Sequence, residues 1–343
     1  MDNPCSECTY LLLDLMINHK IEEDVLKFYQ GKAVLITGAS GYLGSVIKNL
    51  IEKVAKKILV AERNLKIDLS CRNQSVSVLS NALLNQIEEA DIVFHLASQT
   101  NAYTSRQEPV NDILSNYVLL AQIIEGCLVK KVKPFIVNAS TVTVYGKKEG
   151  TITECDNIYH PITFYDINKR TSEMLLNYYI EEKLIKGCSL RLANIYGPSL
   201  GASNKGRGVM NKMIHKALRG EDLSLFEGCD YLRDYTYIID VAYAFLLSPM
   251  FETRTNANAY VLCSGRSELM SFYYNVIKEC AANIGININI VTCKPSSELL
   301  DIEKRNFRGM SQLFSDHTGW KPMVGFKEGV ERTIRFLQSE EKK

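Results

Sequence analysis

Tyr165 and Lys169 stand four residues apart at the head of a helical pattern, so both side chains leave one face of one helix. A phenol beside an ammonium can do acid–base chemistry. The Tyr hydroxyl is ordinarily protonated near neutral pH, and a neighbouring cation favours its phenolate and brings it toward working range. Upstream, Asn138-Ala139-Ser140-Thr141 ends an apolar run, with Thr141 24 residues before Tyr165. The end of a strand is where an α/β sheet places its ligand crevice. There the phenolate can take a proton from an alcohol that Thr141 orients; Ser140 beside it can serve instead. The Tyr-x-x-x-Lys pair is common by chance, so its meaning rests on the elements that position it.

The element that gives it meaning lies near the start. Thr37-Gly38-Ala39-Ser40-Gly41-Tyr42-Leu43-Gly44 follows the apolar run Ala33-Val34-Leu35-Ile36 and opens a helical pattern with apolar residues at 43, 46, 47, 50, 51 and 54. Strand, glycine turn and helix form the geometry that holds a dinucleotide pyrophosphate, because glycine backbone approaches the phosphates and the helix N-terminus offers N–H groups and a positive dipole end. Glu62 ends the next apolar run, Ile58-Leu59-Val60-Ala61, 18 residues past Gly44. An acid that meets the adenosine ribose hydroxyls is expected roughly 20 residues on. A carboxylate there repels a 2′-phosphate and favours NAD; Arg63 beside it can hold such a phosphate and favours NADP.

The spacing G-x-x-G-x-x-G resembles the short-chain dehydrogenase/reductase superfamily, and its extended branch in particular. Four later phrases narrow the resemblance to extended-branch enzymes acting on nucleotide sugars: Ser140-Thr141-Val142-Thr143-Val144-Tyr145-Gly146, Arg191-Leu192-Ala193-Asn194-Ile195-Tyr196-Gly197-Pro198, Arg233-Asp234-Tyr235-Thr236-Tyr237-Ile238-Ile239-Asp240-Val241 and Thr318-Gly319-Trp320-Lys321-Pro322. Their order and spacing match from about residue 31 to 338. The resemblance implies catalytic Thr141, Tyr165 and Lys169, with Lys169 also reaching the cofactor ribose. It implies NAD (or NADP) held by Gly38, Ser40, Gly41, Tyr42, Leu43, Gly44, Glu62, Asp68, Leu69, Leu96, Ala97, Ser98, Asn116, Ala139, Ser140, Tyr165, Lys169 and Ile195. For the nucleotide-diphosphate sugar it implies Asn194, Val209, Phe226 and Arg233 beside Thr141. Arg233 suits a diphosphate because guanidinium binds phosphate in bidentate fashion; an ion pair with Asp234 or Asp240 is the plainer use. Phe226 is read as packing on the base or as a core residue.

The chain has 343 residues, 46% hydrophobic and 23% charged, with net charge +1. Such a chain builds a sizeable core and carries no broad basic surface for nucleic acid. Its ten cysteines include one C-x-x-C, Cys5 and Cys8, without two further ligands at metal spacing. The thiols are read as reduced and mostly buried, as in the cytoplasm. Residues 10–17 form too short an apolar run to span a bilayer and contain Asp14. The five histidines lack metal-ligand spacing; His160, before a proline, is the one to test for substrate contact.

Strand-like runs at 33–37, 58–61, 91–97, 134–140 and 189–195 alternate with helical patterns at about 42–54, 111–131 and 165–184. This implies an α/β fold, a Rossmann-like doubly wound parallel sheet with a smaller C-terminal α/β substrate lobe. Residues 1–30 read as a helical extension that caps the domain or joins an interface, 31–198 as the NAD-binding domain with 236–250 returning to it, and 199–343 as the nucleotide-sugar lobe. The apolar and aromatic residues of the 165–182 helix exceed one buried face, and extended-branch enzymes commonly pair through helices placed here at 111–126 and 165–182. A homodimer is the expectation.

The resemblance also separates reactions. Sugar-nucleotide dehydratases carry an Asp-Glu pair after the catalytic Thr, where this chain has Val142 and Thr143. The decarboxylases that make xylose nucleotides carry a Glu at the Thr143 place and an Arg after Gly-Pro, where this chain has Ser199. Both chemistries are disfavoured. What remains is redox at a sugar carbon: NAD-dependent 4-epimerisation through a 4-keto sugar, favoured, or 4-ketoreduction with NAD(P)H. The family's Asp-x-Ser-Lys phrase before Gly-Trp is replaced here by Arg308-Gly309-Met310-Ser311-Gln312. A non-catalytic NAD-binding scaffold on the same fold is the other class of reading; loss of Tyr165 or Lys169 would be its mark, and both are present.

Overall fold

Apolar runs of four to seven residues, buried on both faces, build the centre of the molecule. A computed structural model describes residues 23–61, 80–156, 161–198, 207–295 and 299–341. Glu62, Arg63, Asp68, Leu69, His160, Ser199, Cys5 and Cys8 lie outside the described residues. The strands are β1 (Ala33–Thr37), β2 (Lys57–Ala61), β3 (Ile92–His95), β4 (Phe135–Thr141), β5 (Lys186–Leu192) and β6 (Ala259–Leu262). They form one parallel sheet in the order β6-β5-β4-β3-β1-β2. Side chains alternate between the faces. Val34, Ile36 and Phe94 join one apolar cluster, and Leu35, Val93 and Ile136 join the other. The chain direction across the sheet reverses between β1 and β3, which opens a crevice at their carboxyl ends.

Helices cover both faces. Tyr42–Ile51 and Ile238–Met250 pack on the first cluster; Leu119–Lys130 and the far half of Phe164–Glu181 pack on the second. The segment Pro109–Lys130 is long and apolar enough to cross a membrane by length and composition, yet half of its apolar window is buried inside the fold, as in a core helix. The helix Glu23–Tyr29 caps the domain: Tyr29 is fully buried and its hydroxyl donates to the Leu246 carbonyl at 2.8 Å.

The structure refines two readings of the sequence. Residues 238–250 come back to the main sheet as a helix packed on it, and β6, inside the span read as the lobe, adds the edge strand. Residues 232–237 instead pair in a three-stranded sheet with Asn194–Tyr196 and Ser267–Leu269, and 238–250 is a buried helix against the central sheet. The run 189–195 also divides at Ala193. Residues up to Leu192 stay beside β4, whereas Asn194–Tyr196 pair with Tyr235–Tyr237 in the second sheet. One phrase thus carries the chain from the cofactor side to the lobe.

Two of the later phrases singled out in the sequence meet one another. Trp320 is buried and its indole N–H donates to the Asp240 carbonyl at 2.9 Å, while the Asp240 carboxylate accepts the N–H groups of Met323 and Val324 at 3.1 Å each. The C-terminal helix Phe326–Glu341 is thereby seated against the lobe. Among the described residues, Cys127, Cys188, Cys263 and Cys280 are buried free thiols, Cys155 is exposed, and no cluster of three or more metal-ligating side chains occurs.

Candidate active site

The glycine turn is shaped by contacts that leave no room for side chains. Gly38 has φ +72°, and a Cβ on it would stand 2.8 Å from the Ala97 backbone nitrogen. A Cβ on Gly44 would stand 2.1 Å from the Gly38 carbonyl oxygen. Thr37, the last residue of β1, locks this turn to the end of β3: its hydroxyl oxygen accepts the N–H groups of Leu96 and Ala97 at 3.1 Å and meets His95 Nδ1 at 3.1 Å. Gly41 is the N-cap of Tyr42–Ile51 and offers no side chain to cap it. A bare, uncapped helix start over a glycine cradle fits a pyrophosphate. Tyr42 is buried and faces the lobe; it donates to the Gly197 carbonyl at 2.9 Å and accepts from Asn211 at 2.8 Å.

β4 and the helix Phe164–Glu181 bring the reactive side chains together. Lys169 is 2% exposed, donates to the Ala139 carbonyl at 2.8 Å and stands 5.9 Å from the centre of the Tyr165 ring. Burial lowers it to about 8, against the pull of Asp112 and Glu173. Tyr165 is raised, first by burial and then by the charges of Asp166 and Asp112, with a hydrogen bond to Ser98 and the charge of Arg207 acting the other way. In the protein without cofactor, burial and the two acids hold the phenol up; the expected phenolate depends on the nicotinamide charge as well as on Lys169. The ammonium serves a carbonyl and the ring face, and the phenol sits in a half-buried pocket with two acids. Lowering it requires a further positive charge beside it.

Ser140 and Thr141 separate. Ser140 donates to Glu173, on the buried side of the sheet. There Glu173 also receives the Arg191 guanidinium in a two-pronged pair at 2.9 Å and Arg170 at 3.0 Å, and Arg191 donates to the Tyr145 hydroxyl at 2.6 Å. Thr141 turns instead toward Thr143, their oxygens 2.9 Å apart. Of the two hydroxyls, Ser140 is committed to Glu173, and Thr141 is linked through Thr143 to Asp166, the residue after Tyr165.

Asn116 lies in a π-turn, Leu114–Val118, within the helical segment from Pro109. Its amide N–H donates to the Gln99 carbonyl at 3.1 Å and to Asp112 at 3.0 Å, and its oxygen accepts the Ser98 hydroxyl. Asn168 donates to the other Asp112 oxygen at 2.6 Å. Asp112 is fully buried and raised by that burial. This knot fixes the Leu96-Ala97-Ser98 turn under the pocket. The π-turn aims Asn116 inward, a frequent device at functional sites.

The lobe residues are less uniform. Asn194 is exposed at the start of its strand and donates to the Asp234 carbonyl at 3.2 Å; Ile195 follows, half-buried. Val209 opens the helix Val209–Leu218 and is exposed. Phe226 is 38% exposed at the end of the strand Leu223–Phe226, so it is not a core residue. Arg233 makes neither of the expected ion pairs. It donates to the carbonyls of Leu232 at 3.0 Å, Glu303 at 2.5 Å and Arg305, while the Asp234 carboxylate is held by Ser264 and Thr236.

Three residues were missed on sequence. Arg305 donates to the Gly146 carbonyl at 3.2 Å and is lowered to about 10 by burial and by the like charge of Arg233. Two guanidiniums held by carbonyl oxygens make a focus of positive charge. Arg207 donates to Thr100 at 2.7 Å and is felt at Tyr165. Asp166 accepts the Thr143 hydroxyl and closes the capping box of its helix with Thr163. Its sequence signal was that box, Thr163-x-x-Asp166.

Comparison with known proteins points to one family. The profile described as the NAD dependent epimerase/dehydratase family matches residues 34–262. A putative UDP-glucose 4-epimerase of Methanocaldococcus jannaschii is 23% identical over 320 residues, covering 89% of this chain and 98% of that protein. The dTDP-4-dehydro-6-deoxyglucose reductase of Escherichia coli is 25% identical over 327 residues, covering 89% and 97%. Among solved structures, the UDP-glucose 4-epimerase of Thermotoga maritima with UDP-glucose superposes with TM-score 0.75 at 26% identity, covering 90% of this chain and 99% of that one. With the family match running from the first strand through the last strand of its central sheet, the chain belongs to the NAD-dependent epimerase/dehydratase family, in the extended branch of the short-chain dehydrogenase/reductases.

Proposed function

We propose that this protein is a nucleotide-sugar 4-epimerase that oxidises and re-reduces one sugar carbon through a 4-keto sugar. The observation that carries the reading is a redox set without the acids that divert it. Lys169 lies against the Tyr165 ring, Thr141 ends the strand whose Ala139 carbonyl Lys169 holds, and the side chains after Thr141 are an apolar Val142 and a hydroxyl, Thr143.

The nicotinamide ring, when bound, supplies the hydride acceptor and a positive charge. The glycine turn and the Tyr42–Ile51 helix start would seat the pyrophosphate, and the Ser98–Asn116–Asp112 knot holds the Leu96-Ala97-Ser98 turn beside it. Lys169 holds the Ala139 carbonyl and the Tyr165 ring face, and would hydrogen-bond a ribose hydroxyl of the cofactor. Thr141 orients the sugar hydroxyl, Tyr165 takes its proton as the C–H bond is lost, and Tyr165 returns it when hydrogen is restored to the opposite face. Arg233 and Arg305 meet the diphosphate by exchanging carbonyl partners for phosphate oxygens, which guanidinium binds more strongly. Phe226 offers an exposed ring for the base.

The stripe Ile167, Met174 and Tyr178, exposed at helical spacing on Phe164–Glu181, supports a homodimer through that helix. A concentration-independent monomer mass in light scattering would contradict it. The free thiols among the described residues support work in the cytoplasm.

The test is a panel of UDP-, dTDP-, CDP- and GDP-sugars with NAD and no reductant. A new sugar nucleotide of unchanged mass establishes epimerisation. A product two hydrogens heavier, formed only from a 4-keto sugar with NADH or NADPH, establishes the second reading, ketoreduction, which the likeness to the Escherichia coli reductase favours.

A further inference from the structure

Asp112 is a fully buried acid held by neutral groups. Its Oδ1 accepts the Asn116 amide at 3.0 Å and its Oδ2 accepts the Asn168 amide at 2.6 Å, and among the described residues it enters no ion pair. Both partners are donors, so neither oxygen faces an acceptor for a proton of its own, and the group stands as a carboxylate. Asn116 is held in place, because its amide also donates to the Gln99 carbonyl and its oxygen accepts Ser98. An anion fixed in a dry interior needs a positive charge nearby.

That charge is Lys169. It follows Asn168 directly on the helix Phe164–Glu181, so the helix that supplies a donor to Asp112 also brings the ammonium to it, and each acts on the other. Lys169 meets the Ala139 carbonyl and the Tyr165 ring, neither of which neutralises it. Glu173 is the other acid acting on it, and the Glu173 charge is already met by Arg191 and Arg170. We propose that Asp112 is a positioning residue, the fixed counter-ion that keeps Lys169 charged and so sets the upper pH limit of the site. The inference rests on the reading of Lys169 as part of the redox set.

Burial lowers Lys169 to about 8 although Asp112 and Glu173 act the other way. Burial raises Asp112 although Asn168, Asn116 and Lys169 act the other way. The remaining titratable groups around the pair are neutral near pH 7 or already engaged. His95, at the end of β3, is lowered to about 3 by burial and by Lys169. Burial raises Tyr165 and takes Tyr145 up to about 12. Arg191 of β5 is paired with Glu173, and Asp166 faces Thr143 and Thr163. Removing the Asp112 charge therefore lets Lys169 lose its proton at lower pH, and a neutral Lys169 no longer favours the phenolate.

Asp112→Asn removes the charge at nearly constant shape, and Asp112→Ala removes it without adding a buried amide. In the full chain, the Lys169 titration midpoint is read from the carbon-13 signal of lysine labelled at Cε, assigned by its loss in Lys169→Met. It is expected to fall by at least about one pH unit in both variants. Asp112→Asn combined with Asn168→Asp moves the carboxylate across the same hydrogen bond, and the midpoint should return to within about half a unit of the unaltered protein. With UDP-glucose and NAD, kcat of Asp112→Asn should drop at least about sixfold more at pH 8.5 than at pH 6.5. A packing role would lower it equally at both.

An unchanged midpoint in both single variants, or a folded double variant whose midpoint stays low, would overturn the proposal. Absence of turnover of every nucleotide sugar by the unaltered protein would overturn the proposed function, and the lysine midpoint would still decide the role of Asp112.

Discussion

Replacing Lys169 by methionine should make the folded protein more stable at pH 7 while stopping turnover. The ammonium is 2% exposed, and burial takes it from 10.5 to about 8. At roughly 1.4 kcal/mol per pH unit that gap costs the fold about 3 kcal/mol whenever Lys169 is charged. Between pH 8 and 10.5 the unfolded chain holds a proton that the folded chain has released, so wild-type stability rises with pH through that window. Below pH 8 the full cost is present. Methionine is one heavy atom shorter, stays unbranched and removes the charge, but leaves the Ala139 carbonyl without its donor, a loss of about 1 kcal/mol. The variant should therefore be about 2 kcal/mol more stable at pH 7 and lose that advantage by pH 10.5. Urea unfolding of both proteins across this range, taken as a difference, removes the contributions of other titrating groups. A difference that stays constant from pH 7 to 10.5 would refute the claim that a desolvated ammonium stands in the site.

Other substitutions test the supporting structure. Gly44→Ala places a Cβ 2.1 Å from the Gly38 carbonyl oxygen, so the turn must shift; NAD affinity measured by calorimetry should fall at least about tenfold, while the far-ultraviolet dichroism stays unchanged. Glu173→Gln leaves Arg191, 5% exposed, without its charge partner; chemical unfolding should show a loss of about 3–5 kcal/mol. Met174→Glu with Tyr178→Glu puts charge on the exposed stripe, and light scattering should then report a monomer at concentrations where the unaltered chain is a dimer.

The parts of the site that were legible from sequence are those made by neighbours in the chain. Gly38, Gly41 and Gly44 are demanded by contacts within one turn and with the adjoining strand end, so their spacing announces them. Tyr165 and Lys169 share a helix face, and Thr141 ends a strand whose apolar run is plain. What escaped depends on distant partners. Ser140 cannot be told from Thr141 until Glu173, 33 residues on, claims its hydroxyl. Asp112, Asn116 and Asn168 gather only after the helices dock. Arg305 reaches the site from a segment joined to it through Arg233 and Gly146. β6 has only four residues and no periodicity to mark it, and its place beside β5 follows from the buried helix 238–250 that precedes it.

The central claim is that hydrogen leaves and returns to one sugar carbon without net oxidation. The most direct measurement is to convert a turned-over nucleotide sugar in deuterium oxide with NAD and no added reductant, then read product masses. The account predicts an epimer at unchanged mass, with no deuterium on carbon and with formation abolished in Tyr165→Phe. A product one mass unit heavier from carbon-bound deuterium, or one that has lost water or carbon dioxide, would contradict it.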